Sequence, residues 1–142
     1  MIKKIEHIGV AVKDLESAIR TYRDVLEIPM TKAYESEYTK AKIAFFPLED
    51  CTIELIQPTD SSSLVAKFIE RKGEGIHHLC LGVKDIETAL RYFESKGLEL
   101  LDKKPRTTHD NRTIAFLNPK STNGVLIELM EMEKGNDQNR KE

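Results

Sequence analysis

A repeat constrains this chain more than any other feature. The segment His7-Ile8-Gly9-Val10-Ala11-Val12-Lys13-Asp14-Leu15-Glu16-Ser17-Ala18-Ile19-Arg20 returns as His78-Leu79-Cys80-Leu81-Gly82-Val83-Lys84-Asp85-Ile86-Glu87-Thr88-Ala89-Leu90-Arg91, an offset of 71 (78 minus 7). His, Val, Lys, Asp, Glu, Ala and Arg recur identically, and most other positions are conservative exchanges. Ala44-Phe45-Phe46 matches Ala115-Phe116-Leu117 at the same offset, and Ile53-Glu54-Leu55-Ile56 matches Ile127-Glu128-Leu129-Met130 at 74 (128 minus 54). The second copy therefore carries 3 extra residues (74 minus 71), which fit the turn Asn118–Gly124. Self-similarity of this kind means that one supersecondary unit is used twice.

Each copy opens with an alternating, Val- and Ile-rich run, 5–12 and 76–83, which predicts a strand. Asp14 and Asp85 stand where a helix N-cap belongs. Leu15, Ala18, Ile19, Tyr22 and Leu26 then follow at helical spacing, as do Ile86, Ala89, Leu90 and Phe93, with Gly97 ending the second helix. Three more strands are expected in each copy, near 30–34, 41–47 and 52–57, and near 99–102, 113–118 and 125–132. The expected fold class is α+β, two tandem βαβββ modules in a single domain over 1–132: module one 3–57, a linker with a short helix 58–75, and module two 76–132. The apolar-free stretch 133–142 is expected to be a disordered tail.

Matched positions carry the chemistry. His7 and His78 occupy equivalent places on the first strand of each module, and Glu54 and Glu128 on the last. A carboxylate amid Ile and Leu is costly to bury unless paired or on a metal. Alternation puts His7, Gly9 and Ala11 on one face, and His78, Cys80 and Gly82 on another. The small residues leave room beside each imidazole. A His-Glu-His-Glu set mixing imidazole nitrogen with carboxylate oxygen suits one divalent ion: zinc, nickel, cobalt or manganese. His77 projects to the face opposite His78 and is read as a helix-packing or supporting residue. His109 lies in a polar loop.

Composition narrows the function classes. With 22 Lys plus Arg against 24 Asp plus Glu, the net charge is −2, which argues against a nucleic-acid binder that must replace counterions on phosphate. No apolar run is long enough to cross a bilayer. Two cysteines, Cys51 and Cys80, make no disulfide framework. A cytoplasmic location and a small-molecule substrate are expected, with neither nucleic acid nor membrane as partner.

The duplicated module with one metal ligand at each end resembles the vicinal-oxygen-chelate superfamily, and within it the methylmalonyl-CoA epimerase branch. The resemblance spans residues 3 to 132. It is carried by His7–Val12, by Gly73-Glu74-Gly75-Ile76-His77-His78-Leu79, and by Asn118-Pro119-Lys120-Ser121-Thr122-Asn123-Gly124-Val125-Leu126-Ile127-Glu128-Leu129. It departs at the loop 106–112, which lacks the glycines of many epimerases, and at 41–44, where some epimerases carry a further Glu. The resemblance implies a homodimeric, metal-dependent epimerase. It would move a proton at the α-carbon of a thioester through a metal-stabilised enolate, with Glu54 and Glu128 as proton carriers. Arg106, Arg112 and Lys120 are candidates to hold the CoA phosphates. Glyoxalase I, acting on a glutathione hemithioacetal, shares the ligand pattern and is the alternative; a non-catalytic binding protein of the same fold is the second.

Overall fold

The structure, a computed structural model, describes residues 1–108 and 110–133. It is an α+β fold of eight strands and few helices. In chain order these are β1 (Ile2–Ala11), α1 (Leu15–Ile19), β2 (Lys32–Ser36), β3 (Ala41–Pro47), β4 (Thr52–Pro58), α2 (Leu64–Lys72), β5 (Gly75–Val83), α3 (Ile86–Ser95), β6 (Arg106–Thr107), β7 (Thr113–Leu117) and β8 (Ile127–Glu131). No helix among the described residues is long and apolar enough to cross a membrane. The chain separates into two compact units, one of residues 5–80 and one of Met1–Lys4 with the chain from Leu81. Of the expected tail, residues 134–142 lie outside the described residues, as does His109.

In the unit of residues 5–80 the strands are ordered β2-β3-β4-β1, antiparallel except for the parallel pair β1 and β4. Side-chain alternation gives this sheet two apolar faces. Val12, Leu15, Ala44, Phe46 and Leu55 form a core on the side of α1, joined by Val10, Ala18, Ile19 and Tyr22. Ala11, Ala41, Ile43, Phe45, Ile56 and Val65 form another with Phe68 and Ile69 of the linker helix α2. In the other unit the strands that lie wholly within it are ordered β8-β7-β6. There α3 packs Ile86, Ala89 and Leu90 against Val83, Ala115, Leu117 and Leu129.

The repeat reappears in the bonding. The Asp14 carboxylate accepts the Ser17 amide and the Asp85 carboxylate the Thr88 amide, the expected N-caps. Each helix is also held from the last strand of its own module: Gln57 Oε1 accepts the Leu15 amide at 2.7 Å and Glu131 Oε1 the Ile86 amide at 3.3 Å. These side chains satisfy amides that a helix start leaves without intrahelical partners. Phe45 stands opposite Glu54, and Phe116 opposite Glu128. The 3 residues inserted in module two (74 minus 71, the two offsets) go into the turn after β7. There Pro119–Ser121 form a 3₁₀ turn, capped by Asn118, and Gly124 sits at φ 84°.

Two expectations are corrected. The first helix does not run in α geometry to Leu26, because Arg20–Val25 form a π-helical turn. The wider turn takes an extra residue per revolution, so the α spacing that aims Leu26 inward is lost and Leu26 is 56% exposed. The strand expected at 99–102 shrinks to a single bridge, Leu100 with Leu117. Asp102 Oδ2 takes the Phe116 amide at 2.8 Å, so a side chain replaces the backbone acceptor that would extend the ladder. Pro105, lacking an N–H, follows, and pairing resumes only at β6.

Leu55 and Leu129 are repeat partners, both fully buried. Urea unfolding is expected to show each Leu→Ala change costing about 2–5 kcal/mol, while Leu26→Ala shifts stability by about 0.5 kcal/mol or less. Equal costs at all three positions would contradict the packing described.

Candidate functional site

His7 arrives on β1 and His78 on β5, both within the unit of residues 5–80. On the parallel pair β1 and β4, Gly9 is in register with Glu54, so Glu54 lies diagonally beside His7 on the same face. All three side chains are buried, His7 at 2% and Glu54 at 3% exposure. Such burial of polar groups is tolerated only with partners, and they partner one another. His7 Nε2 meets His78 Nε2 at 2.9 Å, with the rings edge-on at 87°. Glu54 Oε2 lies 2.8 Å from His7 Nδ1, and Glu6 Oε1 lies 3.2 Å from that same nitrogen. On the far side, His78 Nδ1 meets His77 Nδ1 at 2.9 Å.

The close approach depends on Gly9. A Cβ built there would stand 2.2 Å from His78 Cε1 and 2.6 Å from its Nδ1. Gly9 does not have a positive φ, so what its place requires is absence of a side chain rather than backbone freedom. Its repeat partner is Cys80 (9 plus 71), fully buried, with a donor sulfur within 4.8 Å of a His7 ring nitrogen.

Burial opposes a charge on His7. Its hydrogen bonds with Cys80, Glu54 and Glu6, and the negative charge of Glu54, outweigh burial and push its pKa up to about 12. A charged His7 donates from both nitrogens, to a carboxylate at Nδ1 and to His78 at Nε2, and it has to give up the Nε2 proton before that nitrogen can ligate a cation. His78 then accepts at Nε2 and donates from Nδ1 to His77. Burial pushes the His77 imidazole down, toward its neutral form, and its ring packs edge-on against Phe68 of α2, 5.0 Å between centroids.

The donor set fits a divalent cation. Two nitrogens that share an ion, each about 2.0–2.1 Å from it, stand about 3 Å apart, and the two Nε2 atoms meet this spacing. Donor atoms of Glu6, His7 and Glu54 also lie within 4.8 Å of one another. Glu54 rests on His7 Nδ1, the nitrogen away from His78. As a ligand it has to leave that nitrogen, and Glu6 then remains as its partner. The chemistry within reach is oxygen-ligand capture by a cation, with a buried carboxylate beside it.

The other expected site residues are distributed as follows. Glu128 is buried in the middle of β8, 6% exposed, in the unit that begins again at Leu81. Arg106 Nε lies 3.2 Å from Asp102 Oδ1, with its guanidinium 5.8 Å from the Phe116 ring centroid. Arg112 Nε lies 2.8 Å from Asp110 Oδ2. Lys120 is exposed in the 3₁₀ turn after β7. His77 does what was expected of it, packing against the linker helix and supporting His78, whereas the contact of Glu6 with His7 was not anticipated. The available signal was position: Glu6, like His77, directly precedes a site histidine, and the two are repeat partners (6 plus 71).

Comparison with known proteins agrees with this geometry. Residues 6–116 match the model of the Glyoxalase/Bleomycin resistance protein/Dioxygenase superfamily. The ethylmalonyl-CoA/methylmalonyl-CoA epimerase of Cereibacter sphaeroides is 33% identical over 131 residues, 91% of this chain and 98% of that one. The crystal structure of methylmalonyl-CoA epimerase from Mycobacterium tuberculosis is similar with a TM-score of 0.85 at 33% identity, covering 92% of this chain and 88% of its own. A Streptomyces coelicolor methylmalonyl-CoA epimerase variant in complex with 2-nitronate-propionyl-CoA gives a TM-score of 0.87 at 28% identity, covering 94% and 97%. With similarity of this extent over nearly its whole length, the chain belongs to the glyoxalase/bleomycin resistance/dioxygenase superfamily, in its methylmalonyl-CoA epimerase branch.

Proposed function

We propose that this chain is a metal-dependent epimerase that interconverts the stereoisomers of methylmalonyl-CoA by moving the proton at the α-carbon. The observation that carries the reading is the convergence of His7 Nε2 and His78 Nε2 at 2.9 Å beside the buried Glu54. The names of the relatives, epimerases of malonyl-type CoA thioesters, support the substrate class. The proposed ligands are His7, His78 and Glu54, with Glu128 as the fourth on the strength of the sequence repeat; cobalt, zinc, nickel or manganese suits them. When bound, such a cation supplies Lewis-acid stabilisation of negative charge on the thioester oxygen.

The chain's own groups do the rest. Inversion at carbon needs the proton to leave one face and return on the other, hence two acid–base groups. Glu54 and Glu128 are the pair proposed, one from each module. Each of the two is buried, where bulk water is excluded. Arg106, Arg112 and Lys120 are the cations proposed for the phosphate end of the substrate. Arg106 and Arg112 each already face a carboxylate of their own loop, so Lys120 is expected to contribute most. A homodimer in the cytoplasm is the setting proposed from the family resemblance.

The function is tested by incubating the purified chain, supplied with cobalt, with methylmalonyl-CoA in deuterated water. Deuterium uptake at the α-carbon is the expected result. Isomerisation of the glutathione hemithioacetal without such uptake would overturn the assignment in favour of glyoxalase I.

Glu54→Gln retains an oxygen donor but removes a proton acceptor. Turnover is expected to fall roughly 10²–10⁴-fold, with cobalt content much less affected. Near-normal turnover would remove Glu54 from the proton path.

Gly9→Ala is expected to displace the His78 ring and weaken cobalt binding at least about 10-fold, read by competition with a coloured chelator. Unchanged affinity would mean that His78 is not held where a ligand must be.

A further inference from the structure

Both site histidines face a buried centre with Nε2. A neutral imidazole that offers a lone pair there carries its proton on Nδ1, and a buried N–H requires an acceptor. The acceptors come from equivalent positions of the repeat. Glu6, immediately before His7, brings Oε1 to 3.2 Å from His7 Nδ1. His77, immediately before His78, brings its Nδ1 to 2.9 Å from His78 Nδ1. One module uses a carboxylate and the other an imidazole for the same task. The imidazole is itself wedged edge-on against Phe68, so the linker helix α2 fixes its orientation.

We propose that Glu6 and His77 are matched positioning residues, each fixing the tautomer and ring orientation of the histidine that follows it so that the two Nε2 lone pairs point to one ion. The proposal rests on the metal-binding reading above and adds the two residues that prepare its ligands. Two facing Nδ1 atoms at 2.9 Å share one proton. If His77 held it, His78 would carry its own proton on Nε2 and could not ligate. An ion on His78 Nε2 and acceptance by His77 Nδ1 therefore select the same tautomer. The repeat also predicts the replacement that works: the residue module one uses at this place is Glu.

The test compares His77→Phe, which keeps a ring against Phe68 but removes the acceptor, with His77→Glu. Cobalt affinity of the full chain is measured by chelator competition, and thermal unfolding checks that both variants are folded. His77→Phe is expected to weaken binding about 10–100-fold, and His77→Glu to stay within about threefold of the parent. Folded variants that bind equally, whether both tightly or both weakly, would overturn the proposal. A second readout needs no metal. NMR of ¹⁵N-histidine-labelled protein is expected to show the His78 Nδ1 proton hydrogen-bonded and slow to exchange in the parent and in His77→Glu, and fast-exchanging in His77→Phe. A parent that binds no cobalt while the variants show this difference would sink the metal reading and leave the positioning role standing. Equal exchange in all three would sink the positioning role itself.

Discussion

Two imidazoles in buried contact, each facing the other with Nε2, form the interaction on which this site depends. It demands space, and the space comes from a residue with no side chain: the His78 ring lies where a Cβ on Gly9 would be. It also demands compensation for burying nitrogen, which comes from a chain of partners running from Glu54 through His7 and His78 to His77. Either demand alone could be met on many strands. Meeting both needs a strand that alternates small and polar on one face and stays aliphatic on the other, where Val10 packs toward α1. The first strand of module one is built that way.

The two modules keep the scaffold and diverge in its chemistry. Helix caps, the Phe opposite each Glu and the latch from last strand to helix start recur at their repeat positions. The residue that latches changes from Gln57 to Glu131. The residue before the site histidine changes from Glu6 to His77, and the small residue two places on from Gly9 to Cys80. The first group serves stability, since a lost cap costs about 1 kcal/mol. The second group sets local charge: His7 sits beside carboxylates, His78 beside a neutral ring.

Most of the architecture was legible because it is written twice. Period-two and helical patterns located β3, β4, α2, β5 and α3 within a residue or two and β1 with its start three residues late, and equivalence singled out His7, His78, Glu54 and Glu128. What escaped was geometry that no spacing encodes. A π turn is a single-residue change of phase, and it left Leu26 in solvent where an α pattern points inward. The Asp102 carboxylate competing for the Phe116 amide erased an apparently good strand. Which nitrogen of His7 each carboxylate meets depends on ring rotation. So too does the contact through which His77 supports His78: strict alternation sends it to the far face, yet its ring comes back to meet His78.

The capture of the Phe116 amide by Asp102 has a consequence for the protein in a crowded solution. It cuts the edge strand of that sheet to the two residues of β6, with Arg106 at its start. A long, flat edge would offer a row of open amides and carbonyls to any other extended chain. Here the row is too short to serve as a template, its first residue is charged, and Pro105 before it has no amide to offer. The defect in the ladder thus acts as protection against intermolecular strand pairing, and a repair that lengthened β6 would be bought with a greater tendency to aggregate.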